Sequence, residues 1–113
     1  MDTTIADQAR LRAGIVRGEG LSAASRALLV RPQLPIHTRS QFPTLTAPPA
    51  DWPQTLSAGP GVVAFRDRSG PAWFKAGHDD GTANKVVCME AGLRCVVLLA
   101  NDMPWGWEYA WYR

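Results

Sequence analysis

Apolar positions follow two different periods along this chain. Over the first thirty residues they recur at helical spacing. Thr3 or Thr4 can cap a helix that runs through Ile5, Ala9, Leu11, Ala13 and Ile15 to Arg17, and Gly18-Glu19-Gly20 stops it. Its alanine content predicts close packing. A second helix is predicted over Ser22 to Val30, with Ser22 as N-cap, apolar residues at Ala24, Leu28 and Leu29, and Pro32 and Pro35 forbidding continuation. From Gly61 onward the apolar residues instead form short runs: Gly61 to Arg66, Pro71 to Ala76, Val86 to Met89 and Cys95 to Ala100. Asp67-Arg68-Ser69-Gly70 is a polar turn between the first two runs. Glu90-Ala91-Gly92-Leu93 is short enough to join the last two as a hairpin.

The expected fold is α+β. Two N-terminal helices (1–31) lead into a long Pro-rich connection (32–60), then a four-stranded antiparallel meander (61–101) and an aromatic tail (102–113). The helices are the only predicted elements able to cover a face of the sheet, which gives two layers. The connection carries apolar residues too irregular in spacing for helix or long strand, and Phe42, Leu45, Trp52 and Leu56 either pin it or simply cover the core from outside. At 113 residues the chain makes one domain at most.

The two cysteines gain meaning through register. With Ala91-Gly92 as a two-residue loop, Glu90 pairs with Leu93, Met89 with Arg94 and Cys88 with Cys95. Alternation makes the last a hydrogen-bonded pair, whose side chains diverge, so the expectation is two buried free thiols rather than a bridge. Two cysteines on one hairpin also lack the paired close spacings of a zinc site.

Composition narrows the function classes. The formal net charge is +2, and the ten arginines and two lysines are scattered rather than stacked on one face, which argues against nucleic-acid partners. No apolar run approaches the roughly 18 residues that span a bilayer, and Met1-Asp2-Thr3-Thr4 lacks the basic-then-apolar order of a signal peptide. No cofactor and no metal is implied. A metal site drawn from His37, His78, Asp79 and Asp80 is the weakest of the readings, since nothing fixes His37 near the others.

The one polar cluster suited to a site is Gly77-His78-Asp79-Asp80-Gly81-Thr82, expected as a turn at the end of the strand Pro71 to Ala76. An aromatic strand running into Gly-His-x-x-Gly-Thr, followed by two hydrophobic strands of which the second ends in Leu-Leu-Ala-Asn-Asp, resembles the C-terminal part of the serine beta-lactamase-related hydrolases. These are the class C beta-lactamases, DD-peptidases and beta-lactamase-like esterases. The helix, turn, helix arrangement followed by Arg-Pro-Gln is similar to the helical segment that precedes their last strands. In that family a strand lining the active site carries a Lys-Thr-Gly or His-Thr-Gly triplet, and His78-Asp79-Asp80-Gly81 stands in its place, with Asp80 where glycine is usual.

The resemblance implies acyl transfer to amide or ester substrates by a serine nucleophile in intact relatives. It also implies that Gly81 N–H acts as an oxyanion donor, that His78 orients a substrate carboxylate or assists proton transfer, and that Asp79, Asp80, Thr82 and Lys75 contact substrate. The chain departs from the family elsewhere. Ser22, Ser25, Ser40, Ser57 and Ser69 all lack a lysine three residues on, and neither Tyr109 nor Tyr112 begins a Tyr-x-Asn motif. The chain therefore reads as a fragment or truncated relative, inactive alone. It is cytoplasmic as it stands, with the periplasm open to a longer relative.

A second reading comes from a different class. MPWGWEYAWYR carries three of the five tryptophans and both tyrosines. These can form a stacking platform, or a hydrophobic tail that covers the sheet. A small interaction module would bind peptide or carbohydrate through that tail or through a sheet edge. A sheet short of its flanking helix exposes an apolar face, which predicts self-association.

Overall fold

The computed structural model describes residues 3–36 and 56–101, apart from the side chains of Asp67, His78 and Asp79. The tail, His37, Phe42, Leu45 and Trp52 lie outside the described residues. Two helices precede an antiparallel sheet: α1 (Ile5–Arg17), α2 (Ala23–Leu29), β1 (Leu34–Pro35), β2 (Ser57–Ala58), β3 (Val63–Asp67), β4 (Gly70–Asp79), β5 (Thr82–Met89) and β6 (Arg94–Asn101).

Both helices start and stop where their sequence signals stand. The Thr4 side chain accepts a hydrogen bond from the Asp7 amide, and Gly18 ends α1 in the left-handed region at φ 76°. Ser22 caps α2 in the same way by accepting from the Ser25 amide. The buried face of α1 is narrower than its apolar content suggests. Leu11 and Ile5 are more than half exposed, whereas Val16 is buried with Ile15 beside it.

Among the described residues the sheet has six strands in chain order, β1-β2-β3-β4-β5-β6, where the sequence predicts four. The two additional strands are pairs of residues at the ends of the long connection, Leu34–Ala58 and Pro35–Ser57, too short to leave an alternating pattern. Pro35 can sit there because a two-residue edge strand does not need every amide. The long strands also extend beyond their apolar cores. β4 runs to Asp79 and β5 begins at Thr82, so Gly77, His78 and Asp79 are strand residues opposite Asn84, Ala83 and Thr82. The expected six-residue turn is thus a two-residue one, Asp80-Gly81, with Gly81 at φ 73°. Polar side chains at an exposed hairpin end hide strand geometry from a hydrophobicity reading.

The β5–β6 register agrees with the sequence reading: Met89 faces Arg94 and Cys88 faces Cys95. The connection does not. Glu90 is helical at φ −68°, ψ −36°, Gly92 has φ 73° and Leu93 has φ 49°, which makes a four-residue loop closed by Met89 and Arg94 rather than a two-residue loop closed by Glu90 and Leu93. The longer loop shifts the alternation by one pair. Cys88 and Cys95 become a close, non-hydrogen-bonded pair with Cα atoms 4.1 Å apart, and they form a disulfide instead of two free thiols.

The main core lies between the helices and one face of the sheet, where Val16 and Val62 meet Trp73, Val86 and Cys88, with Val30, Cys95 and Val97 around them. A smaller cluster occupies the opposite face: Leu56 and Phe74, with Ile36, Val63, Phe65 and Val87. Leu56, read as pinning the connection or covering the core, is 4% exposed. Burial on both faces explains why β4 reads as a run, Ala72-Trp73-Phe74, rather than an alternation.

Candidate functional site

The predicted site residues all fall on the distal half of the β4–β5 hairpin. Strand pleating assigns positions 75, 77 and 79 of β4, with 82 and 84 of β5, to the face that carries Trp73, Val86 and Cys88 nearer the helices. Position 78 belongs with Ala83 and Lys85 to the other face. The helix-side face changes character along its length. Trp73, Val86 and Cys88 are buried beneath the helices, while Lys75, Asn84 and Thr82 are exposed. The helices therefore stop short and leave a polar ledge.

Lys75 extends outward and donates from Nζ to its neighbour's carbonyl, Ala76 O, at 3.0 Å. Asn84, which the sequence reading passed over, lies across Gly77: a Cβ at Gly77 would come within 2.7 Å of Asn84 Nδ2. An ammonium, a carboxamide and the Thr82 hydroxyl thus share one exposed surface with the Asp80-Gly81 turn at its end. Every one of them can donate a hydrogen bond to an anionic or carbonyl oxygen. The backbone of His78 pairs with Ala83 and that of Asp79 with Thr82.

Two further polar groups are more buried than Lys75, Asp80, Gly81 and Thr82, which are all exposed. Lys85 on β5 is fully buried, its Nζ 5.2 Å from the centroid of the Phe74 ring. Its position opposite Ala76 and Leu98 is hidden in sequence, because a lysine between Asn84 and Val86 reads as the solvent side of an alternating strand. The second is a cluster tying α2 to the sheet. Glu90 Oε1 accepts from Trp73 Nε1 at 2.8 Å and from Arg26 Nη2 at 2.9 Å, and Arg26 Nη2 stands 2.7 Å from Glu90 Oε2. Both charged side chains are about four-fifths buried, at 19% and 23% exposure. A tryptophan 17 residues before a hairpin glutamate gives no sequence sign of such a contact.

Among the described residues no group of three or more histidine, cysteine or carboxylate side chains is arranged to hold a metal ion, and no helix is long and apolar enough to cross a membrane. Comparison of the chain with known protein families, with curated proteins and with solved structures finds no match.

Proposed function

We propose that this chain is the sheet-side part of a serine hydrolase related to the beta-lactamases, contributing a substrate-binding strand and no nucleophile. The observation that carries the reading is the polar ledge at the distal end of β4 and β5. Lys75, Asn84 and Thr82 are exposed there on the same face that the two helices cover elsewhere. A strand end with outward donors, next to a left-handed glycine whose N–H lies at a turn, suits the binding of a substrate carboxylate and carbonyl. The helical hairpin on the same side of an antiparallel meander is consistent with the resemblance carried by Gly77 to Thr82 and by the sequence Leu-Leu-Ala-Asn-Asp from Leu98 onward. The substrate class is amide or ester, and turnover requires a nucleophile from another chain.

The test combines site-resolved binding with covalent labelling. Backbone amide NMR of the chain titrated with benzylpenicilloate is expected to show shifts at Gly77, Gly81, Thr82 and Asn84, and a fluorescent penicillin is expected to leave every serine unmodified. Unshifted amides across positions 77–84 would remove the substrate-strand reading. A labelled serine, located by mass spectrometry, would overturn the claim that the chain brings no nucleophile.

A second reading, the non-catalytic interaction module, is favoured by one observation. β6 is the last strand of the sheet among the described residues, and Val96 on it is 55% exposed.

A further inference from the structure

A separate concavity lies between the end of α2 and the neighbouring strands. It has a volume of about 450 Å³, within the range of small-molecule sites, and its lining is largely apolar, with Ala27, Val30, Pro32 and Pro71 among the residues around it and the buried Trp73 at its floor. Three charged residues reach the same space, Arg26, Arg31 and Glu90.

The charges do not cancel. Glu90 is already engaged, accepting from Trp73 Nε1 and Arg26 Nη2. A guanidinium has five N–H donors, and on Arg26 only those of Nη2 are used among the described residues. Arg31, exposed at the mouth, forms no ion pair among the described residues. Among the described residues, two arginines against one glutamate leave one net positive charge and a surplus of donors over an apolar wall. Glu90, itself held by Trp73 Nε1, fixes the position of Arg26 Nη2, which reduces the entropy lost on binding.

From this geometry we infer that the cleft is a binding site for a small monocarboxylate with an aryl or alkyl body, of the size of phenylacetate. The carboxylate meets the donors of Arg26 and Arg31, and the body lies against Val30, Pro32 and Pro71. A cationic ligand meets net repulsion there, and a neutral one offers the guanidinium donors an acceptor without the negative charge that strengthens the bond. The inference does not depend on the hydrolase reading, because α2 and the start of β4 form the cleft and the opposite end of the hairpin forms the ledge.

The probes are phenylacetate and its uncharged isostere, phenylacetamide, titrated into the whole chain while the indole N–H resonance of Trp73 is followed. That resonance is assigned by its loss in Trp73→Phe. The expected result is a saturable shift with phenylacetate and binding about tenfold weaker for the amide, the discrimination that one charge-assisted hydrogen bond supplies. Arg31→Ala, at an exposed position whose loss leaves the fold intact, is expected to weaken phenylacetate about tenfold and leave the amide unchanged. Equal affinity for acid and amide, an unmoved Trp73 indole resonance, or an Arg31→Ala protein that binds phenylacetate as tightly as the parent would each overturn the inference. Carboxylate shifts confined to Gly77–Asn84 would overturn it while supporting the ledge.

Discussion

Arg26 and Glu90 meet across 64 residues of sequence, and their contact joins the second helix to the loop between the last two strands. Because Glu90 also accepts from Trp73, removal of its carboxylate costs more than one ion pair. Glu90→Ala leaves a buried indole N–H and a mostly buried guanidinium without their acceptor, and is expected to destabilise the chain by about 2–4 kcal/mol. Glu90→Gln keeps an acceptor for Trp73 and is expected to lose about 1–2 kcal/mol. Urea denaturation followed by tryptophan fluorescence gives both values. Equal midpoints for the two variants would show that the indole hydrogen bond contributes nothing.

The cross-strand disulfide should be visible in the same assay. Cys88 and Cys95 are seven residues apart, so the bridge closes a small loop, and the chain-entropy model gives about 2–3 kcal/mol for a loop of this size. Reductant, or the double substitution of both cysteines by alanine, is expected to lower stability by that amount. A thiol titration of the native protein should find no free cysteine. Two titratable thiols in protein purified without reductant would contradict the pairing.

The helices, their caps and the β5–β6 register were legible because each depends on local chemistry: a threonine or serine before an apolar period, a glycine after it, and two apolar runs separated by five residues. What the sequence concealed depends on contacts made elsewhere. Gly77-His78-Asp79 looks like a turn because its residues are polar and small, yet pairing with Thr82-Ala83-Asn84 makes it strand. The loop Glu90–Leu93 looks like a two-residue turn because Ala91-Gly92 fits one. Its four-residue form requires Leu93 at positive φ, which no propensity scale favours, and this single difference turns two diverging thiols into a bridged pair. The Lys85 and Glu90 environments were invisible for the same reason. Burial of a charge is decided by what packs over it, not by its neighbours in sequence.

Lys85 offers a test of whether that buried charge stabilises the fold. Its stem fills space beside Phe74, and its ammonium lies over the ring. Lys85→Ala creates a cavity and removes the cation–π contact, with an expected cost of about 2–4 kcal/mol. Guanidinium denaturation measures it. A variant within experimental error of the parent would show that burial of the ammonium offsets everything its stem and charge contribute.

Val96 sits on β6 opposite Val87, on the face away from the helices, and is 55% exposed on the last strand of the sheet among the described residues. Arg94 is the only charged residue of that strand, so little in its side chains opposes pairing with another strand. The apolar surface should draw copies together as concentration rises, and sedimentation velocity is expected to show a concentration-dependent increase in mean mass. Val96→Lys places a charge at that exposed position. It should abolish the increase while changing stability by less than about 1 kcal/mol, since the side chain is already more than half in solvent. If the parent chain sediments as a monomer at every concentration, the edge is not an association surface. If Val96→Lys associates as strongly as the parent, association runs through a different part of the molecule.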